Sequence, residues 1–157
     1  MTTETPDSLS ISFELNGESR AIEVRPNELL IDVLRERLGL RGTKKSCDVE
    51  ICGACTVLVD GLPTSSCTTL ACDVDERAVT TIEGVSCGGQ PGPVQQALVK
   101  CGGIQCGFCT PGMVMATTAL LKFHPRPSDD QIHHYLAGNI CRCTGYVKIV
   151  EGVKSLA

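Results

Sequence analysis

Cys47-Asp48-Val49-Glu50-Ile51-Cys52-Gly53-Ala54-Cys55 spaces three thiols as C-x4-C-x2-C, and a fourth, Cys67, follows after eleven more residues. Three thiolates on one loop and one from a neighbouring rigid element is how a chain wraps a binuclear iron-sulfur centre, and this spacing is the plant-type arrangement. Gly53 and Ala54 let the backbone come close, and successive loop N–H groups donate to the sulfurs, which stabilises a negative centre and raises its potential.

The flanks of this loop read as strands. Leu9 to Leu15 alternates, Asn16-Gly17 is a strong hairpin signal, and Ser19 to Val24 alternates again, so a β-hairpin opens the fold. Glu28 to Leu38 carries Leu30, Val33, Leu34 and Leu38 at helical spacing, with acids early, Arg35 and Arg37 late, and Gly39 to close it. Beyond the cysteine loop, Thr56 to Val59 reads as a strand, Asp60-Gly61 turns it, Leu62 to Ser66 returns with Cys67 on that strand, and Ala78 to Ile82 supplies a last strand.

From Glu83 to Pro93 the composition shifts to Gly, Ser, Pro and Gln, as at a boundary between two packing units. The rest reads helical: Val94 to Lys100, Pro111 to Phe123, Ser128 to Ala137 with a Ser128-x-x-Gln131 capping box, and Tyr146 to Leu156. Four helices fit a small bundle. The reading is α+β.

A second cysteine set lies in that half, Cys106-x2-Cys109 with Cys141-x-Cys143, each pair before a helix whose N-terminal end favours an anion. By spacing alone Cys101-x4-Cys106-x2-Cys109 repeats the first triplet, so Cys101 competes for a place in the set. Zinc is the bland alternative for either set, since four cysteines also hold structural zinc. Cys72, Cys87 and Cys101 read as buried or incidental thiols. His124, His133 and His134 lack paired spacing with cysteines and read as solvated helix positions. Lys44, Lys45 and Arg142 either offset centre charge or are plain exposed bases. Asp73, Asp75 and Glu76 read as a solvated loop, and Met113 and Met115 as core.

Eleven cysteines is an odd number, and Met1 to Ser10 has neither a basic nor an apolar export region, so metal binding in a reducing, cytoplasmic compartment is expected over a disulfide framework. A net charge of -4 gives no field for nucleic acid, and no apolar run is long enough for a membrane span. With no Trp and 3% aromatic residues, stacked rings do not hold the interior together. No nucleophile, acid-base pair or phosphate loop for substrate chemistry stands out.

At Cys47-Asp48 with Cys52-Gly53-Ala54-Cys55-Thr56-Val57, at Gly103-Ile104-Gln105-Cys106-Gly107-Phe108-Cys109-Thr110-Pro111-Gly112-Met113, and at Gly138-Asn139-Ile140-Cys141-Arg142-Cys143-Thr144-Gly145-Tyr146, the chain resembles the small iron-sulfur subunit of molybdenum hydroxylases, the xanthine oxidase family. The resemblance runs from about Ser8 to the C-terminus. It implies a β-grasp, ferredoxin-type domain over 1–84 and a helical bundle over 85–157, each with one 2Fe-2S cluster. It takes Cys106 rather than Cys101 into the second set, so the implied ligands are Cys47, Cys52, Cys55 and Cys67, then Cys106, Cys109, Cys141 and Cys143. Gln105 and Cys143 match positions that touch a pterin. The implied partners are a large subunit carrying molybdopterin, in its dinucleotide form, and a medium FAD-binding subunit, with electrons passing from the pterin to the bundle cluster, then to the other, then to FAD. A free-standing two-cluster shuttle is the alternative. Ser46 and Glu50 stand where many relatives carry Gly, which predicts a local change in the first loop's path.

Overall fold

The computed structural model describes residues 7–86 and 88–157. Strands β1 (Leu9–Leu15) and β2 (Glu18–Val24) pair antiparallel across Asn16 and Gly17, both at positive φ, with Leu9 opposite Val24. The period-2 pattern sends Ile11, Phe13 and Leu15 inward. Strands β3 (Thr56–Val59), β4 (Leu62–Ser65) and β5 (Ala78–Thr80) complete a five-stranded sheet in the order β2-β1-β5-β3-β4. β5 runs parallel to β1 and antiparallel to β3. Edge strand β4 is short and carries Pro63, which blunts further pairing.

The helix expected over Glu28 to Leu38 is shorter and differently wound. Its α-helical turn α1 is Leu30–Asp32, followed by a π-helical stretch, Val33–Arg37, in which the Leu38 N–H reaches the Val33 carbonyl at 3.0 Å. Glu28 is left out because its carbonyl accepts the Ala71 N–H at 2.7 Å in place of a helical donor, while its carboxylate accepts from the Arg25 N–H at 3.0 Å and pairs with Arg37 at 3.0 Å. Leu29 bridges to Leu70 instead. Gly39, at φ 73°, does close the helix, and the Leu40 N–H caps the Leu34 carbonyl at 2.8 Å. The strand expected to run to Ile82 stops at Thr80 and turns into a short 3-10 segment, Ile82–Val85.

Helices α2 (Pro93–Lys100), α3 (Thr110–Phe123), α4 (Asp129–Leu136) and α5 (Val147–Lys154) follow. The Ser128 capping box forms, with the Ser128 N–H donating to Gln131 Oε1 at 2.8 Å and the Gln131 N–H donating to Ser128 Oγ at 3.3 Å. α2 packs on α5 and α3 on α4, around Leu98, Met113, Leu120, Ile132 and Ile149.

All four residues of β3 are buried because it is covered on both faces. Val57 and Val59 enter the core beneath α1, while Leu58 packs on the other side against Met115 and Ala119 of α3. The sheet and the helices therefore share a wall. Gly112 lets α3 come that near: a Cβ there would collide with the Gly53 carbonyl and sit 2.9 Å from Asn139 Nδ2. Thus the helix beginning at the second cysteine set rests directly on the loop that carries the first.

Candidate iron-sulfur sites

The first loop is shaped by Asp48, Glu50 and Gly53, at φ 58°, 59° and 66°. Glu50 adopts the left-handed conformation itself, the one that Gly favours, and Ser46 is not at positive φ. Gly53 is also required by a contact within the chain. A Cβ there would strike the Gly138 carbonyl and the Asn139 side chain, which belong to the other half of the chain.

The Cys52 N–H donates to Cys47 Sγ at 3.5 Å. Hydrogen bonds from the Val49, Cys52 and Ile51 N–H groups, in that order of weight, draw the Cys47 thiol down to about 6. Such donors favour thiolate. Cys55 and Cys67 are buried together beside Ile31. Burial foremost pushes the Cys55 thiol up to about 12, with the Cys67 N–H working against the rise and the Cys67 sulfur adding to it. Cys67 lies in the turn after β4 and not on the strand, because α1 holds that turn: the Ile31 N–H donates to the Ser66 carbonyl at 3.0 Å and the Leu30 N–H to that of Thr69 at 2.9 Å. These donors lack partners within their own helix, so the turn satisfies the helix start while presenting Cys67.

In the second set Cys106 and Cys143 are exposed and face each other, Sγ to Sγ at 3.6 Å. Cys109 is the N-cap of α3 and lies against Cys141. Burial and the Cys141 sulfur push the Cys109 thiol up to about 12. Burial raises Cys141 as well, but the Thr144 hydroxyl and N–H and the Cys143 N–H outweigh it and its pKa falls. The Thr144 hydroxyl donates to Cys141 Sγ at 3.1 Å. Only the first of the expected helix starts is adjacent to its cysteines; Thr144, Gly145 and a left-handed Tyr146 (φ 67°) separate Cys143 from α5.

The eight thiols thus fall into four neighbouring pairs: Cys47 with Cys52, Cys55 with Cys67, Cys106 with Cys143, and Cys109 with Cys141. A binuclear cluster takes two thiolates on each iron, so two pairs per set suit its donor chemistry. Cys101 is instead the C-cap of α2, near Lys148 of α5. Cys72 packs against the first core, and Cys87 lies outside the described residues.

Other expected roles are reassigned. Lys45 donates to Asp32 at 2.7 Å, and that bond raises its pKa; Lys44 donates to the Arg41 carbonyl at 3.0 Å. Neither cation is directed at a thiol. Asp75 is not merely solvated, since its carboxylate accepts the Ser12 N–H at 2.8 Å. His124 Nδ1 pairs with Gln131 Nε2 at 3.0 Å. Met113 and Met115 are core, both 0% exposed. Gln105 is exposed beside Cys106. The sequence reading gave no role to Asn139, whose buried amide reaches Gly53; an Asn after Gly reads as a turn, and no spacing rule signals otherwise.

An open hollow of about 230 Å³ joins the two sets, lined by Cys52 together with Cys106, Cys109, Cys141, Cys143 and the half-exposed Phe108.

Two family models match in tandem, a 2Fe-2S iron-sulfur cluster binding domain over residues 13–88 and a 2Fe-2S binding domain over 81–154. The chain is 45% identical over 148 residues to the nicotinate dehydrogenase small FeS subunit of Eubacterium barkeri, covering 94% of each. It is 46% identical over 149 residues to the xanthine dehydrogenase iron-sulfur-binding subunit of Escherichia coli O157:H7, covering 94% of this chain and 93% of that one. Among solved structures, quinoline 2-oxidoreductase from Pseudomonas putida 86 superposes with a TM-score of 0.91 at 40% identity, over 95% of this chain and 92% of the other. The fold and the paired thiols define a two-cluster electron-transfer protein. The chain belongs to the family of small iron-sulfur subunits of the molybdenum hydroxylases, and its cofactors are two 2Fe-2S clusters.

Proposed function

We propose that Cys47, Cys52, Cys55 and Cys67 hold one cluster and Cys106, Cys109, Cys141 and Cys143 the other, in a β-grasp domain over 1–84 and a helical bundle over 85–157. The observation that carries this is the pairing of the eight thiols. When bound, each cluster supplies a one-electron carrier. The chain's own residues fix where it sits. Backbone donors at Val49, Ile51 and Cys52 favour the thiolate of Cys47, and Thr144 does so for Cys141. Leu58, Met115 and Ala119 keep the two halves in contact.

The face bearing Gln105, Cys106, Phe108, Ile140 and Cys143 is exposed, and Phe108 and Ile140 leave large apolar surface in water, 47% and 49% exposed. Apolar surface flanking exposed ligands favours cover by a partner. This face meets the large subunit, with Gln105 and Cys143 against its molybdopterin dinucleotide, and FAD in a medium subunit lies beyond the first loop. No helix among the described residues is long and apolar enough to cross a membrane, and reduced thiols suit a cytoplasmic complex. The substrate chemistry belongs to the large subunit.

The test is gentle purification from source cells with mass spectrometry of whatever copurifies, together with metal analysis. A molybdenum-containing large subunit and about four iron with four sulfide per chain are expected. A monomer carrying both clusters in every fraction would establish the free shuttle instead.

A further inference from the structure

Asn139-Ile140-Cys141 ties the two cysteine loops together. Asn139 is 4% exposed, and its Nδ2 donates to the Gly53 carbonyl at 2.8 Å and to Thr56 Oγ1 at 3.3 Å. The next residue's N–H, that of Ile140, donates to the Cys52 carbonyl at 2.9 Å. A path of covalent bonds interrupted by that one hydrogen bond therefore runs from Cys52 to Cys141. The Ile140 side chain is half exposed, so packing within this chain does not hold its N–H in place. The amide of Asn139 does, because a buried amide has no water to turn to if it leaves its acceptors. Gly112 closes the site from the third side, with no room for a Cβ between it and Gly53.

We propose that Asn139 is a positioning residue for communication between the two clusters: by gripping Gly53 it keeps the Ile140 N–H on the Cys52 carbonyl and fixes the separation and contact of the two ligand loops. This rests on the ligand assignment above. Asn139 touches no thiol itself. Its effect is exerted through Ile140 and Cys52.

The experiment uses the assembled complex with both clusters reduced by dithionite, and reads the spin-spin splitting between them by low-temperature electron paramagnetic resonance, with iron content and thermal midpoint alongside. Asn139→Ala removes the grip, and Asn139→Asp keeps the shape while replacing the amide donor. Both should retain wild-type iron and the signal of each separate cluster while losing the splitting. Met115→Ala, which loosens the shared wall without touching the segment, should lower the midpoint and keep the splitting. Wild-type splitting in the Asn139 variants, or equal loss in Met115→Ala, would show that Asn139 only holds the fold. If both Asn139 variants shed a cluster, Asn139→Ser and Thr56→Val decide together, since Thr56 Oγ1 accepts from the amide and also donates to the Gly53 carbonyl at 2.7 Å: splitting narrowed more by Asn139→Ser than by Thr56→Val supports the role, and splitting unchanged in Asn139→Ser, or narrowed equally in both, overturns it. Fewer than two clusters in the wild-type complex would instead overturn the ligand assignment.

Discussion

Tyr146 sets its hydroxyl between two backbone groups of the second cysteine loop, accepting the Cys141 N–H at 2.9 Å and donating to the Asn139 carbonyl at 3.3 Å. It does so from a left-handed backbone, which an aromatic residue adopts only at a cost that its surroundings must offset. The Tyr146 N–H in turn donates to Thr144 Oγ1 at 3.2 Å, the hydroxyl that reaches Cys141. One residue thus braces Cys141 twice, through the hydroxyl on its N–H and through Thr144 on its sulfur.

Tyr146→Phe keeps the ring and removes both bonds, leaving the largely buried Cys141 N–H and Asn139 carbonyl unpaired. A loss of about 1–3 kcal/mol is expected. Thermal unfolding followed by the visible absorbance of the clusters should show a lower midpoint, and an unchanged midpoint would mean that water replaces the hydroxyl without penalty.

Gly112→Ala adds a methyl group where the Gly53 carbonyl already stands. Both neighbours are backbone or buried amide and neither yields easily, so destabilisation of about 1–3 kcal/mol is expected from overpacking. Denaturant unfolding measures it. Gly102→Ala is a useful contrast, because a Cβ there meets nothing and only the positive φ of 70° is strained.

Asp60 gives a pH dependence of defined sign. Its carboxylate accepts the Ala78 N–H at 2.9 Å and the Arg77 Nε–H at 2.7 Å, and these bonds, the backbone one foremost, hold its pKa below the usual carboxylate value. A depressed folded pKa contributes stability above the unfolded value, about 3.9, and loses it as pH falls through the folded one. Asp60→Asn should therefore be less stable than wild type at pH 7, with the gap closing below about pH 4. Melting curves of the two proteins across that range check it; a constant gap would exclude the charge.

Cys109→Ser removes a thiol of the bundle set and Cys101→Ser one outside it. In an assembled complex, Cys109→Ser should lose one of the two cluster signals in electron paramagnetic resonance and the substrate-driven reduction of the other, while Cys101→Ser should keep both. The reverse pattern would restore the overlapping triplet. Cys55→Ser should leave the bundle signal reducible by substrate and stop turnover with the final acceptor.

Local chemistry made much of this protein legible in its sequence. The hairpin at Asn16-Gly17, the Ser128 capping box and the C-x4-C-x2-C loop depend on neighbours a few residues apart, so short-range pattern suffices. Contacts between distant parts decided the rest. The first helix lost its opening residues to Leu70 and Ala71, and Cys67 left its strand because the start of that helix bonds its turn. Gly53 and Asn139 are 86 residues apart, and only folding shows that one is Gly to make room for the other. Sequence determined where the candidate thiols lie, because cysteine spacing is a property of the chain, although spacing alone left Cys101 and Cys106 in competition. Tertiary structure decided how the two loops meet, because that hydrogen bond forms only once α3 lies on β3.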